Sequence, residues 1–171
     1  MHISKDKNFE KRQDNMPYLK KEILEALPLN LRTILGSLPL ALVQDMEEIR
    51  LRVNQPLILC SHGRDYLIDN KANISSGSSK KYIVTPEDIE RSYQLITNYS
   101  VYAVEEDIKN GFITLKGGHR VGICGKTILQ GRNISTIKDI SGLNIRISKQ
   151  KIGISDKIIP YLIAQNNVFY N

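Results

Sequence analysis

Residues 112–129 read FITLKGGHRVGICGKTIL, and two apolar runs flank the Gly117-Gly118 pair near the middle of this stretch. Two consecutive glycines readily adopt the positive φ angles that a two-residue hairpin turn requires. We therefore predict a β-hairpin in which FITLK (112–116) pairs with HRVGICGKTIL (119–129). The setting expected for such a hairpin is an antiparallel sheet.

The two faces of the predicted hairpin follow from the length of its turn. A two-residue turn pairs Thr114 with Val121, and residues that pair across two strands share a face. The core face then carries Phe112, Val121 and Ile123. The opposite face carries five other residues of the two strands: Ile113, Leu115, Arg120, Gly122 and Cys124.

Arg120 and Gly122 form the first candidate site, together with the turn glycines Gly117 and Gly118. Gly122 leaves bare backbone beside the arginine, so a ligand or another chain can approach closely. Arginine suits such a place because its guanidinium meets phosphate or carboxylate through two hydrogen bonds. The alternative is that Arg120 pairs inside the domain with one acidic residue of the run 105–107.

Outward arginines are also expected on two other strands. In EEIRLRV (47–53) the apolar and charged residues alternate, which is typical of a strand with one buried face. Arg50 and Arg52 point to the polar side and are interface candidates, although surface ion pairs are the more common role of such residues. LNIRIS (143–148) alternates in the same way and directs Arg146 outward.

His119 is a further interface candidate, with capping of the hairpin turn as the alternative. No nucleophile or second metal ligand is near it in the sequence, so we predict neither a catalytic residue nor a metal site. Cys60 and Cys124 lack paired spacing and are expected to be reduced thiols in apolar surroundings.

Gly125-Lys126-Thr127 resembles the end of a phosphate-binding P-loop, G-x-x-x-x-G-K-[ST]. The first glycine of that motif would stand at position 120, which is arginine. The segment is also a predicted strand, whereas a P-loop leads into a helix. We therefore expect no ATP hydrolysis by this chain alone.

The predicted fold class is α+β: a small helical layer, then a mixed, mostly antiparallel sheet with helices packed on it. Residues 1–16 form a polar tail or a leftover of the expression vector, 17–46 the helical layer and 47–171 the sheet domain. A helix begins at Thr85-Pro86, where threonine caps and proline suits the first turn. A final helix is predicted over 155–164, followed by a strand in VFYN (168–171).

The net charge of +6 is concentrated in one segment. Residues 109–157 contain ten Lys/Arg and two Asp/Glu, whereas residues 1–90 contain thirteen of each. Basic segments commonly face phosphates, so a nucleic-acid-binding module is one alternative. Phe112 is the single aromatic residue of this segment, which speaks against base stacking. A solvated basic face without a partner is the other alternative.

Several blocks of the chain together resemble the stage III sporulation protein AA family of endospore-forming Firmicutes. They are EEIRLRVNQPL (47–57), YIVTPEDIERSYQLIT (82–97), SVYAVEEDIKNGFITLKGGHRVGICGK (100–126) and ISGLNIRIS (140–148), and GFITLKGGHRVG is the most specific. That family is similar to the ATPases of type II and type IV secretion. The resemblance implies a PAS-like N-terminal domain, followed in the longer family proteins by a RecA-like motor that binds ATP and Mg²⁺.

The resemblance also implies a role. The chain would be the regulatory and assembly domain of a hexameric motor on the mother-cell side of a channel to the forespore, in the cytoplasm and peripheral to a membrane complex. Its partners would be its own ATPase domain, neighbouring subunits and channel proteins, with no nucleic acid. Arg120 and Arg146 are the best counterparts of the family's nucleotide-facing arginines. A scaffold that binds channel proteins without meeting nucleotide is the remaining alternative.

Overall fold

The computed structural model of the chain describes residues 19–75, 80–100, 104–149, 153, 155–164 and 168–169. The predicted polar tail, 1–16, lies outside these residues. The helices are α1 (Lys21–Glu25), α2 (Leu29–Gly36), α3 (Leu40–Gln44), α4 (Pro86–Ile96), α5 (Glu105–Lys109) and α6 (Ile159–Leu162). The strands are β1 (Met46–Arg52), β2 (Ile58–Ser61), β3 (Arg64–Leu67), β4 (Phe112–Thr114), β5 (Arg120–Gln130), β6 (Asn133–Arg146), β7 (Ile163–Ala164) and β8 (Val168–Phe169).

Six strands form one sheet in the order β3-β2-β1-β6-β5-β4, and β7 pairs separately with β8. Each of the strand pairs in the described part of the chain is antiparallel. The predicted α+β class is therefore confirmed. The prediction was a mixed, mostly antiparallel sheet, and all of these strand pairs are antiparallel. The central contact of β1 with β6 joins segments far apart in the chain.

The helices α1 to α3 pack their apolar sides onto the inner face of the sheet. Pro28 and Pro39 stand immediately before α2 and α3, where a missing N–H costs nothing. One apolar core unites both layers: Ile23, Leu27, Leu31, Leu35, Ile49, Leu51, Val121, Leu143 and Ile145 are all at least 99% buried. Burial of this kind is the main stabilising contribution to the fold.

A polar cluster also ties the helical layer to the rest of the domain. Thr85 and Asp88 form the capping box of α4, as the Thr85-Pro86 pair predicted for the start of this helix. Asp88 also accepts hydrogen bonds from Asn30 of α2 and from the hydroxyl of Tyr82, each at 2.7 Å. Burial of Asp88 opposes its ionisation, but these hydrogen bonds prevail and lower its pKa.

The predicted register of the first hairpin is wrong by one residue. A three-residue 3₁₀ turn, Lys116–Gly118, joins the strands instead of a two-residue turn. Thr114 therefore pairs with Arg120, and Ile113 pairs with Val121. A shift of one residue exchanges the faces of a strand. Ile113 is accordingly buried in the core, whereas Phe112, predicted there, lies on the opposite face and is 37% exposed.

β6 is longer than the predicted strand LNIRIS (143–148), because it begins at Asn133 and ends at Arg146. Its regular pairing with β5 is interrupted between Cys124 and Lys126. A Cβ atom on Gly125 would lie 2.6 Å from the carbonyl oxygen of Lys138, so only glycine fits at this bulge.

The predicted C-terminal helix over 155–164 is shorter in the structure. Turns occupy residues 155–158, and α6 contains four residues. Ile163 and Ala164 leave the helix to pair with β8, which confirms a strand in the predicted VFYN segment. Pairing of these two short strands takes the last residues that the prediction assigned to the helix.

Candidate functional site

The face of the sheet opposite the core, called here the outer face, carries the candidate arginines. Arg120 of β5 pairs with Arg146 of β6, and Arg146 pairs in turn with Glu48 of β1. In the next row Gly122 pairs with Asn144, and Asn144 with Arg50. The structure thus brings together residues that the sequence analysis identified on three separate strands.

Arg120 is exposed and lies over the ring of Phe112, with its guanidinium carbon 5.5 Å from the ring centroid. This is the geometry of a cation–π contact. The alternative pairing of Arg120 with the acidic run 105–107 is not formed between described residues. Glu105 and Glu106 of that run bind Lys109 instead. Within the part of the chain that the structure describes, no carboxylate neutralises Arg120.

Arg146 has one acidic neighbour among the residues that the structure describes. Its Nε atom lies 3.5 Å from Glu48, and 74% of its side chain is exposed. Arg120 stands beside it as its direct cross-strand partner. Like charges directly opposite each other on two strands are destabilising. The pair therefore leaves unfavourable charge repulsion at the surface, which an approaching anion would relieve.

Glu48 is the centre of a satisfied polar cluster. Its side chain is only 12% exposed, and Arg50 Nε donates to it at 2.6 Å. Asn144 donates to the other carboxylate oxygen through its Nδ2 atom. Arg50 also binds Asp65 of β3 at 2.7 Å. The hydrogen bond to Glu48 raises the pKa of the Arg50 guanidinium above its ordinary value. Arg50 is thus held by acids of its own domain.

Arg52 and Gly142 are direct cross-strand partners on β1 and β6. Arg52 is half-buried, and Gly142 is its partner on β6. A Cβ atom on Gly142 would lie 3.0 Å from Nη1 of Arg52, so the glycine makes room for the arginine side chain. Among the described residues no acid pairs with Arg52, which donates to the carbonyl oxygen of Leu51 at 3.5 Å.

Gly122 occupies the middle of the outer face without a steric need for glycine. A Cβ atom added there would meet Asn144 at 3.7 Å, which is ordinary van der Waals distance. The buried Oδ1 atom of Asn144 has no hydrogen-bond partner in the described structure. An open backbone and an unused acceptor thus lie between Arg120 and Arg50.

His119 is fully buried below the turn and does not contribute to the exposed surface. Its Nδ1 atom accepts a hydrogen bond from the Ser148 backbone N–H at 2.9 Å, while its Nε2 atom lies without a hydrogen-bond partner in the described residues. Burial, with a smaller contribution from Lys20, lowers the pKa of His119. The expected interface role of His119 thus has no support in its position. Gly117, with φ at +82°, packs directly against the ring.

Glu48, Asn144 and Phe112 belong to this site, although the sequence analysis did not propose them. Alternation in β1 placed Glu48 beside Arg50, which was a usable signal. The nearness of Asn144 depends on the pairing of β1 with β6, which no local pattern reveals. Phe112 was missed because of the one-residue error in the hairpin register.

Gly125-Lys126-Thr127 lies inside β5, as predicted, and does not lead into a helix. The arrangement of a P-loop is therefore not present at this segment. Among the described residues no three side chains of His, Cys, Asp or Glu are grouped so that they could hold a metal ion. Within the same residues no helix is long and apolar enough to cross a membrane.

Comparison with known proteins gives the family. The model of the family "Sporulation stage III, protein AA" matches residues 18–171. The chain is 35% identical over 141 residues to stage III sporulation protein AA of Bacillus subtilis (strain 168). That alignment covers 82% of this chain and 42% of the relative, so the chain spans less than half of the curated protein it matches. A search of solved structures finds no significant match. The chain therefore belongs to the stage III sporulation protein AA family.

Proposed function

We propose that this chain is the regulatory and assembly domain of a sporulation secretion-type ATPase. In this proposal the outer face meets nucleotide phosphates held by a RecA-like motor domain, or the motor domain of a neighbouring subunit. The observation that carries the proposal is the exposed Arg120–Arg146 pair, whose members are direct cross-strand partners; in the described chain Glu48 contacts Arg146 and no acid contacts Arg120. Family membership supports the sporulation role.

The charges of the site favour an anionic partner. Two adjacent arginines repel each other, and a phosphate between them would convert this repulsion into charge-assisted hydrogen bonds. Arg50 and Glu48 of β1 contact each other at 2.6 Å, so Arg50 is already neutralised within its own strand. These groups suit a nucleotide or a phosphate-bearing surface better than an apolar ligand.

The same geometry offers a route from nucleotide state to domain position. Without an anion, Arg146 rests against Glu48 at 3.5 Å, a weak contact on an exposed side chain. A phosphate brought up by the motor would compete with Glu48 for this guanidinium. Loss of the phosphate would return Arg146 to Glu48. Binding and release would thereby favour closed and open arrangements of the two domains.

Nucleotide and Mg²⁺ would be held by the motor domain in this proposal. The residues of this chain fit phosphate through arginine, and they offer neither a P-loop nor a described carboxylate cluster for Mg²⁺. The B. subtilis relative is long enough to contain a second domain, since the alignment covers 42% of it. Hexamer formation and contact with channel proteins complete the proposal.

The test replaces the arginine pair in the full-length protein. We expect Arg120→Ala and Arg146→Ala each to lower ATP turnover about tenfold or more, because each loses one charge-assisted contact. Gly122→Ala should lower turnover without loss of stability if a partner approaches the bare backbone there. Arg91→Ala, which removes an exposed arginine paired with Glu87 on α4, is the matched control.

The outcomes separate the alternatives. Normal ATP turnover, oligomerisation and sporulation in both arginine variants would rule out the arginine role. Normal turnover with loss of sporulation would favour a scaffold that binds channel proteins. Binding of nucleic acid that weakens steeply with salt would favour the nucleic-acid alternative. The position of Phe112, the single aromatic residue of the basic segment, speaks against that alternative, because Arg120 covers its ring.

A further inference from the structure

The segment Lys126–Lys138, called here the hairpin arm, extends past the rest of the sheet. β5 pairs with β4 only through Gly122, and β6 pairs with β1 only from Gly142 onward. The arm residues between these points pair across the hairpin with each other. The bulge at Gly125 separates the arm from the candidate arginine site. The arm is therefore a second surface, independent of the proposed function.

An apolar pair lies at the tip of the arm. Leu129 and Ile134 are direct cross-strand partners, so their side chains share a face. Leu129 is 62% exposed and Ile134 is 39% exposed. A single exposed leucine is ordinary on a protein surface, but two adjacent aliphatic side chains near the end of a hairpin form a compact apolar tip. Ile134 of this tip borders a cleft between the arm and α5, where Glu105 and Lys109 lie.

Three basic residues belong to the arm: one lies in its turn, and two form the pair at its base. Lys126 and Lys138 are direct cross-strand partners, and Arg132 lies in the turn that joins the strands. All three are exposed, and none has an ion-pair partner among the residues that the structure describes. Like charges opposite each other disfavour the hairpin unless an anion is near.

The acidic residues around the arm leave this charge in place. Glu105 borders a cleft beside Arg132 and Ile134, but it is engaged by Lys109 at 3.4 Å. Asp139 follows Lys138 directly and is the single acidic residue of β5 and β6. The arm therefore carries an apolar pair near its end, Arg132 in the turn beside this pair and two lysines at its base. This is the chemistry of segments that enter the interface of an anionic membrane.

We propose that the hairpin arm docks on an anionic lipid surface, with Leu129 and Ile134 entering the headgroup region and Lys126, Arg132 and Lys138 meeting the phosphates. Aliphatic side chains suit lipid, whereas a nucleic-acid surface would call for aromatic residues, of which the arm has none. Docking of the arm on a second copy of this chain is the alternative, and the sedimentation measurement described below tests it.

The first experiment uses the absence of tryptophan from the sequence. Leu129→Trp places a single tryptophan at the tip, and Leu29→Trp places one at a site that is 77% exposed on α2. With vesicles of phosphatidylcholine and phosphatidylglycerol, the emission of the tip tryptophan should move to shorter wavelength. The α2 tryptophan should not respond. Equal emission of the tip tryptophan with and without these vesicles would overturn the proposal.

The second experiment measures co-sedimentation with the same vesicles. Leu129→Ser with Ile134→Ser should lower vesicle binding about tenfold or more, because two apolar side chains no longer enter the interface. Lys126→Gln with Lys138→Gln should lower it about tenfold at low salt. The controls are Leu29→Ser and the pair Lys71→Gln with Lys80→Gln, which lie away from the arm and are exposed.

Three results would count against lipid docking. One is binding that survives both double substitutions. Another is equal binding to vesicles of phosphatidylcholine alone, which would remove the role of the basic residues. The third is a change of sedimentation coefficient caused by the arm substitutions without vesicles, which would assign the arm to contacts between copies of the chain.

Discussion

Two halves of the outer face both carry arginine, but the neighbours of the arginine differ between them. On the β1 side, Arg50 contacts Glu48 at 2.6 Å and Asp65 at 2.7 Å. On the β5 side, Arg120 contacts an aromatic ring and stands opposite another arginine. The first arginine is satisfied by acids inside the domain, which favours a structural role for it. The second lacks an acidic partner in the described chain, so the face is open to a ligand.

The comparison shows why residue type alone does not identify a site. Both arginines lie on outward positions of alternating strands, and both were candidates from the sequence. Only the cross-strand neighbours distinguish them, and those neighbours come from distant parts of the chain. An arginine opposite glutamate stabilises a sheet, whereas two arginines opposite each other destabilise it. An anion bound between such arginines would reduce their repulsion.

Glu48→Ala should have the largest effect on stability. The carboxylate is nearly buried and accepts from Arg50 and Asn144, so its loss leaves both donors without this acceptor. We expect the free energy of unfolding to fall by about 2–3 kcal/mol. Denaturant titration measures this change, with Glu87→Ala on the exposed side of α4 as control. An unchanged midpoint would show that the cluster around Glu48 contributes little.

Arg50→Ala compared with Arg120→Ala tests the contrast between the two halves directly. Arg50→Ala should lower the free energy of unfolding by about 1–2 kcal/mol, because it removes two charged contacts. Arg120→Ala should change it by less than about 0.5 kcal/mol, since it also removes repulsion from Arg146. The same denaturant titration serves for both. A larger loss in the Arg120 variant would reverse the contrast.

His119 should produce the smallest effect, a dependence of stability on pH. Burial lowers the pKa of His119 in the folded state below the value near 6.5 of the unfolded chain. As pH falls below about 6.5, the unfolded state therefore takes up a proton that the folded state does not. The contribution of neutral His119 to the free energy of unfolding is therefore fully present above this pH and decreases below it.

Thermal unfolding between about pH 5 and 8 measures the dependence on His119. His119→Gln should flatten the curve, whereas His62→Gln, which removes an exposed histidine next to Asp45, should leave the contribution of His119 unchanged. A curve of the same slope in the His119 variant would assign the dependence to other groups. Lys20 and Glu22 are the charged groups that act on His119 in the folded state.

Sequence reasoning was most successful where one face of a strand was clearly apolar. Ile49 and Leu51 in β1 and Leu143 and Ile145 in β6 are completely buried, as alternation predicted. The start of α4 was likewise predicted from local capping chemistry. These features depend on neighbours in the sequence.

The register of the first hairpin could not be derived from the same pattern. FITL (112–115) has apolar residues at both alternations, because Phe112, Ile113 and Leu115 occupy both faces. Either face could therefore have been the buried one. In the structure the turn has three residues and His119 is buried beneath it. The sequence gives no sign of this burial, because a polar residue beside a turn is usually exposed. The convergence of Arg50 with Arg120 and Arg146 depends on long-range pairing for the same reason.

The continuity of β6 has a mechanical consequence. One strand of 14 residues contains Ile134 at the tip of the arm and Arg146 in the arginine pair. At about 3.3 Å per residue, these two positions are at most roughly 40 Å apart along one hydrogen-bonded ribbon. Gly125 of β5 faces β6 between these two positions, where the pairing is irregular and a Cβ atom would clash with the carbonyl oxygen of Lys138. A movement of the arm would therefore reach Arg146 through the β6 backbone, across the irregular pairing with β5 between Cys124 and Lys126.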